Sequence, residues 1–428
     1  MMSSSRFVLL FGFSLVILHN RDLVAQCPSL CDTTNTFFGI ESGVSISTGI
    51  ANSFFGDSTG MKNNTGSQNS FFGGSSGANN LTGNRNSFFG NLSGYNTNTG
   101  GGNAFFGEAT GYNNTSGAAN SFFGTGTGYA NKTGSFNCFY GWASGVSNTL
   151  GGINAFYGSY AGRNNTTGNQ NSFFGANSGR YNISGTGNSF FGNGSGTFNS
   201  TGSENSFFGT DSGFNNSTGK SNSFFGEDAG SKNIRGYGNS FFGTSSGYNA
   251  QGSNNVCVGR SAGATLGGLS SGNIVIGHQA GTPNLDTLMN RLFIDNESSD
   301  TPLIYGEFDN DHIVINGTFE VTAGLSNPSS RAVKTNYSTV DASDVLDKIA
   351  VMDIQEWNYI AHPGQRHIGP FAAEFHSAFG LGKDDSSIST IDASGVALVA
   401  IQALQQENNE LKKLILDLTE RVNSLENE

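Results

Sequence analysis

The 428-residue sequence has little proline, cysteine or charge, and each shortage argues against a class of protein. Six prolines beside 63 glycines exclude a collagen-like triple helix, which needs both residues in quantity. Four cysteines and six histidines form no combined cluster, so we expect neither a metal centre nor another cofactor. Because 32 acidic residues outnumber 20 lysines and arginines, nucleic acid is not an expected partner.

The amino terminus lacks an apolar run long enough to cross a membrane. Arg6 precedes one apolar stretch, Phe7 to Leu18, which is shorter than the ~20 residues of a membrane span. Polar residues then lead to a plausible cleavage region around Ala25, so we interpret residues 1–25 as a secretory signal peptide. The mature chain, secreted or on a bacterial cell surface, would have no transmembrane segment.

Cysteine is too sparse for a disulfide framework. Cys27 and Cys31 lie just after the predicted cleavage region, where an oxidising compartment would permit a small disulfide loop. Cys138 and Cys257 occupy positions at which other repeats carry Ser or Phe, so we interpret them as substitutions within the repeat.

Phenylalanine is abundant, with 36 residues, and most of it lies in a repeat of 17 residues. The pentad N-S-F-F-G, or a near copy, occurs thirteen times, with its glycine at every seventeenth position from Gly39 to Gly243. Two degenerate copies follow, ending at Gly259 and Gly277. A strict period is typical of an ordered array rather than a disordered tract. We predict a mainly β fold, a parallel β-solenoid or β-roll over residues 35–279 with one coil per repeat.

Glycine and asparagine recur at fixed positions within each repeat. Besides the pentad glycine, further glycines follow at positions such as Gly43 and Gly49, where we expect positive φ or close backbone approach. Asparagine is the first residue of every pentad, as at Asn52, and more Asn, Ser and Thr lie beside the third glycine. Stacked coils would turn these columns into hydrogen-bonded ladders. The resulting N-x-S/T sequences would otherwise be glycosylation sites in a eukaryotic secreted protein.

The paired aromatic residues indicate self-association. Neighbouring side chains of a strand point to opposite faces, so Phe54 would lie inside its coil and Phe55 outside. Thirteen coils ~4.8 Å apart would form a rod of roughly 60 Å with an outer aromatic stripe. Because large apolar stripes mark interfaces, we expect identical rods to pack about a common axis, as a homotrimer.

The repeats resemble known fibrous proteins. N-S-F-F-G and S-G-x-x-N-x-T-G are similar in kind to the β-roll head repeats of trimeric bacterial surface adhesins and to the repeat shafts of tail-fibre-like proteins. Those heads have shorter repeats, with Val, Ala or Ile in place of Phe-Phe. After the repeats, short β-patterned runs such as R-L-F-I-D predict a β-rich neck over residues 280–328.

A second resemblance covers the region after the neck. S-S-R-A-V-K-T-N at 329–336, followed in order by V-L-D-K-I-A-V-M, Q-E-W-N-Y, R-H-I-G-P-F-A-A-E-F and I-D-A-S-G-V-A-L-V-A-I-Q-A-L, resembles the intramolecular chaperone auto-processing domain of endosialidases and tail spikes. The resemblance implies a homotrimeric chaperone at residues 329–400 that cuts the bond between Pro328 and Ser329. Ser329 would be the nucleophile and Lys334 its general base, in a serine peptidase of a single turnover.

This sequence departs from the family pattern at two positions of the implied site and offers two further candidate residues. Ser330 occupies a position where the family usually has aspartate, and Ala332 one where arginine is usual. Ser330 and His367 are further candidates that would assist the reaction, although His367 equally suits a structural place at a strand end. Lys334 could act as a base only when neutral, which burial in an assembled trimer would favour. The alternative is a solvated lysine in a turn.

The last segment shows a heptad pattern that predicts a parallel coiled coil over residues 401–427. One seam position is held by Ile401, Asn408, Ile415 and Val422, and the other by Leu404, Leu411, Leu418 and Leu425. β-Branched residues at the first seam position with leucine at the second favour two strands, whereas the aromatic repeats and the family resemblance favour three.

Together these features predict a secreted, trimeric surface fibre, an adhesin or tail-fibre-like protein that binds an unidentified cell-surface or extracellular ligand. An ice-binding or other surface-binding solenoid is an alternative because regular Thr and Asn columns can order water. A purely structural fibre with an uncleaved chaperone domain is another. The repeats contain no paired carboxylates, nucleophile elbow or phosphate loop, which argues against an enzyme with an external substrate.

Overall fold

The computed structural model describes residues 34–281, 287–322, 324–360 and 362–427. They form two compact units, one ending at Glu320 and the other beginning at Val321. The predicted signal peptide, Cys27 and Cys31 lie outside the described residues. Among the helices of the described part, none combines the length and apolar character that a membrane crossing requires.

The first unit is a parallel β-solenoid in which each repeat contributes one short strand, as predicted. Residues 17 apart pair in register, as Phe54 does with Phe71, and the step changes to 16 at Ser240–Val256 and to 18 afterwards. The stacked strands are β1 (Thr36–Phe38), β2 (Ser53–Phe55), β3 (Ser70–Phe72), β4 (Ser87–Phe89), β5 (Ala104–Phe106), β6 (Ser121–Phe123), β7 (Cys138–Tyr140), β8 (Ala155–Tyr157), β9 (Ser172–Phe174), β10 (Ser189–Phe191), β11 (Ser206–Phe208), β12 (Ser223–Phe225), β13 (Ser240–Phe242), β14 (Val256–Val258), β15 (Ile274–Ile276) and β16 (Arg291–Ile294).

The stack extends into the segment that the sequence pattern assigned to the neck. β16 pairs in parallel with β15, and Phe293 continues the buried core. Two antiparallel strands then follow, β17 (Ile304–Glu307) and β18 (His312–Ile315). The R-L-F-I run therefore adds a further coil before the pairing direction changes.

The first phenylalanine of each pentad forms the core of the solenoid. From Phe54 to Phe241 these rings are 0% exposed and stack with centroids 4.6–4.9 Å apart and interplanar angles of 3–7°. Each ring is covered on both faces by the rings of the neighbouring coils, so one residue type fills the interior of coil after coil. The strand alternation predicted from the paired aromatics is confirmed.

The second phenylalanine of each pentad forms an outer column with the same stacking. Its rings, from Phe55 to Phe242, lie 4.6–5.0 Å apart. The rings between these two ends are half-buried, because neighbouring coils cover their faces and leave their edges in solvent. The predicted outer aromatic stripe is therefore present. It exposes less apolar surface than the alternation of side chains along each strand would by itself predict, because the rings cover one another.

Buried asparagines form the predicted ladders. Asn52 donates from its backbone N–H (2.9 Å) and from Nδ2 (3.1 Å) to Oδ1 of Asn35, and its Nδ2 also donates to the carbonyl of Gly66 (2.9 Å). A second ladder passes through Asn80, whose Nδ2 donates to Oδ1 of Asn63 at 2.6 Å. Both ladders are largely buried, so their amides bond to side chains and carbonyls of the same and neighbouring coils rather than to water, and Oδ1 of Asn80 is left without a partner. Several N-x-S/T sequences begin in the second ladder and are therefore inaccessible.

The two described cysteines are free thiols within the repeat, as predicted. Cys257 replaces a core phenylalanine, and burial raises the pKa of its thiol, so it stays neutral. Cys138 replaces the pentad serine, and its Sγ lies 3.0 Å from the hydroxyl of Tyr157. That hydrogen bond, together with desolvation, raises the pKa of Tyr157 to about 12.

The second unit is a small α+β unit with a short core. Val345, Phe375, Val396 and Ala400 form its buried cluster. After a 3₁₀ turn at Arg331–Val333, its elements are α1 (Ala342–Val351), the antiparallel strands β19 (Gln355–Asn358) and β20 (Arg366–Gly369), α2 (Ala372–Phe379) and α3 (Thr390–Glu426).

Two glycines of one turn provide a test of the packing. A Cβ added at Gly126 (φ +67°) would have no atom within 4 Å, whereas a Cβ at Gly128 (φ +59°) would lie 2.6 Å from Cδ2 of Phe122. We expect Gly126→Ala to cost about 1 kcal/mol, since alanine adopts this conformation at Ala109 and Ala143. Gly128→Ala should cost about 1–3 kcal/mol more because the core ring must move. Chemical denaturation of both variants measures the difference, and equal losses would contradict the packing.

The two aromatic columns should differ in stability. Phe190 is fully buried, whereas Phe191 in the same strand is half-buried. We expect Phe190→Ala to lower the free energy of unfolding by about 3–5 kcal/mol through the cavity that it leaves. Phe191→Ala should lower the free energy of unfolding of a single solenoid by roughly 1–2 kcal/mol, because within one chain this ring removes a smaller area from water. A larger loss for Phe191→Ala in denaturation experiments would show that the columns are assigned wrongly.

Candidate functional site

A single 3₁₀ turn brings Lys334 back to Ser329. Ser330 begins the turn in an extended conformation (φ −64°, ψ 146°), and its Oγ accepts a hydrogen bond from the N–H of Ala332 at 3.2 Å. Val333 N–H donates to the Ser330 carbonyl at 3.1 Å, after which Lys334 returns to extended backbone. Lys334 Nζ then lies 2.7 Å from Ser329 Oγ. The structure therefore joins the two principal candidates in one hydrogen bond.

Tyr337 stabilises this turn, although the sequence did not indicate it as a site residue. Its hydroxyl lies 2.8 Å from the carbonyl oxygen of Arg331 and 3.1 Å from that of Lys334. The Arg331 guanidinium lies over the Tyr337 ring, 5.9 Å from its centroid. Tyr337 directly follows the S-S-R-A-V-K-T-N motif, so position alone could have suggested it, but only the fold shows that it contacts two carbonyls of the turn.

The two departures from the family pattern have local roles in this turn. Ser330 caps the 3₁₀ turn through its hydroxyl, as an aspartate side chain also can. Arginine is present at Arg331, one residue before the usual position, and its side chain lies on Tyr337. Ala332 contributes its N–H to the Ser330 hydroxyl. These contacts hold the turn in shape without a side chain from Ala332.

His367 lies in a different part of the unit. It is the cross-strand partner of Trp357, and the two rings stack at 4.8 Å and 23°. Tyr359 packs its edge against the same histidine at 5.3 Å. Among the described residues His367 makes no hydrogen bond to Ser329 or Lys334, and its buried Nε2 has no partner. The structure thus gives His367 an aromatic packing role in the β19–β20 hairpin.

The pair of Ser329 and Lys334 has the geometry of a nucleophile and its base. An amine within hydrogen-bond distance of a hydroxyl can take its proton as the oxygen attacks a carbonyl. Both side chains, and Pro328 before them, are exposed in this single chain. A lysine that acts as a base is neutral, a state that burial favours. The site therefore has its two partners in place but not the dry surroundings that the chemistry requires.

Comparison with known proteins gives a family match for part of the second unit. Residues 329–380 match the family model described as chaperone of endosialidase, which begins at Ser329. The domain resemblance predicted from the sequence is confirmed, and it follows a solenoid of 17-residue repeats. Neither the curated proteins nor the solved structures include a match to this chain. A β-solenoid followed by this domain fits a tail-fibre-like protein with an intramolecular chaperone.

Proposed function

We propose that the chain is a secreted, homotrimeric surface fibre and adhesin whose chaperone domain cuts itself off before Ser329. The observation that carries the cleavage is the 2.7 Å contact between Lys334 Nζ and Ser329 Oγ, at the first residue of the matched domain. Three features of the chain support assembly: the small core of the second unit, the seam of α3 and the outer aromatic column.

The second unit buries too little to be stable by itself. Its buried cluster has four residues, whereas Val351, Ile360 and Ile368 are 86%, 101% and 72% exposed. A domain of this size needs more apolar burial to offset the entropy of ordering its chain. Packing against identical copies would cover these residues and enlarge the core.

The long helix α3 presents an unpartnered apolar stripe. Ser389 caps its start by accepting from the N–H of Ile391 at 3.2 Å, and Val396, Ala400 and Ala403 pack within the unit. Further along, the apolar seam residues are all exposed in the single chain, namely Ile401, Leu404, Leu411, Ile415, Leu418, Val422 and Leu425. A parallel bundle of the same helices would bury these side chains together.

Cleavage would follow assembly because neighbouring chains would exclude water from the site. The Ser329 oxygen attacks the carbonyl carbon of Pro328 while Lys334 takes the hydroxyl proton. The peptide C–N bond breaks as the proton passes to the Ser329 nitrogen, which leaves an ester on Oγ. Water then hydrolyses the ester, giving a carboxylate at Pro328 and restoring the hydroxyl. The outer aromatic column, already stacked within each chain, would remain as the interface between solenoids.

Self-cleavage is tested with full-length protein on a denaturing gel. Wild type should separate into two fragments at the Pro328–Ser329 bond, and Ser329→Ala and Lys334→Met should each stay full length, a loss of at least ~10³-fold in rate for a missing nucleophile or base. Ser338→Ala is the matched control, since it removes an exposed hydroxyl that lies after the turn and outside the pair. A wild type that runs full length, or a Ser329→Ala variant that is cut, would contradict the proposal.

Assembly is tested by the particle mass of the uncleaved Ser329→Ala protein in solution. We expect three chains, and a matched pair of leucines on α3 tests the seam. Leu411 on the seam is 56% exposed and Leu416 off it is 65% exposed. Leu411→Asp should weaken assembly by at least ~10-fold, since it would bury a charge, whereas Leu416→Asp should not. Two chains would identify a dimer, and a single chain would refute the assembly.

A further inference from the structure

The turns of three successive coils, those of β7, β8 and β9, carry a basic and aromatic cluster. Trp142 packs its edge on Tyr160 at 4.6 Å. The guanidinium carbons of Arg163 and Arg180 lie 5.1 and 4.9 Å from the Tyr160 centroid, and Arg180 also lies 5.2 Å from that of Tyr181. We refer to these five residues as the Arg-Tyr cluster.

The two arginines of the cluster have no anionic partner. Among the described residues neither of them forms an ion pair with Asp or Glu. Residues 109–203 contain no Asp or Glu, although the chain as a whole has a net charge of −12. If an identical chain packed alongside with its coils aligned, the coils next to the cluster would therefore bring no carboxylate either. Two like charges on adjacent coils repel each other, so an external anion would stabilise the site.

Two further features show that the cluster is not optimised for stability. Tyr160 has a φ of +60°, at a repeat position that holds Ala143 in the coil before it. A bulky aromatic residue in this conformation is strained. Arg180 donates from Nη1 to Oδ1 of Asn177 at 3.2 Å, yet its buried Nε has no partner. The solenoid thus tolerates charge repulsion and an unsatisfied donor at one place, together with a positive φ that Leu92 and Asn177 also adopt at this repeat position.

We propose that the Arg-Tyr cluster binds an anionic saccharide through its sulfate or carboxylate groups. Guanidinium groups bind these anions through paired, charge-assisted hydrogen bonds, and both arginines are oriented by the ring of Tyr160. Trp142 is 55% exposed and offers an apolar ring for the sugar itself. This inference rests on the proposed role as a surface adhesin and deepens it, because it names the class of ligand and its place on the solenoid.

Binding is measured by titration of the full-length Ser329→Ala protein with heparin fragments, polygalacturonate and neutral dextran. The first two probes separate sulfate from carboxylate recognition, and dextran tests the sugar alone. We expect one or both acidic probes to bind, dextran not to bind, and the affinity to fall as salt is raised. Arg163→Gln with Arg180→Gln should weaken binding by at least ~10-fold through lost charge-assisted hydrogen bonds.

Lys132→Gln is the matched control, since it removes the other positive charge of the same acid-free stretch and should change binding less than ~2-fold. Thermal denaturation confirms that each variant remains folded. If the double variant unfolds, the single variant Arg163→Gln replaces it. No binding of acidic probes, equal binding of dextran, or an equal effect of Lys132→Gln would overturn the proposal. The particle mass of the same protein shows whether assembly is intact, so a failure of saccharide binding can be distinguished from a failure of assembly.

Discussion

The structure of the solenoid depends on one geometric constraint, the stacking of like side chains, with aromatic rings 4.6–5.1 Å apart along its length. Every repeat advances the chain by one coil, so each position of the repeat becomes a column. A column that repeats one residue type is stable only if that residue attracts a copy of itself. Phenylalanine does so by ring stacking, and asparagine does so because one amide both donates and accepts.

The same constraint accounts for the low charge of the sequence. A column of lysines or glutamates would place like charges within a few ångströms of each other in coil after coil, and the repulsion would add along the array. Neutral polar residues avoid this and still satisfy the backbone. Glycine is required where a coil turns tightly against its own core ring, as at Gly128 beside Phe122. The Arg-Tyr cluster is therefore an exception that stability does not explain.

The two units differ in how much hydrophobic core each has within a single chain. The solenoid has a continuous core within a single chain, since Phe54 and its successors are fully covered by neighbouring coils. The second unit has four buried core residues and a helix whose apolar seam faces solvent. The proposed assembly would give the second unit a larger core, whereas the solenoid already has a complete one within a single chain.

The sequence by itself determined the architecture, because a period of 17 residues with Phe-Phe and glycine in phase allows one stacking register. It also determined the inner and outer columns, through strand alternation, and the pairing of Ser329 with Lys334 through the family motif. Only the tertiary structure showed that Phe293 adds a coil, that the Tyr337 hydroxyl bonds to the turn between Ser329 and Lys334, and that Arg163 and Arg180 converge on Tyr160. The repeat period alone does not specify those contacts, since they depend on the path of the backbone through individual turns.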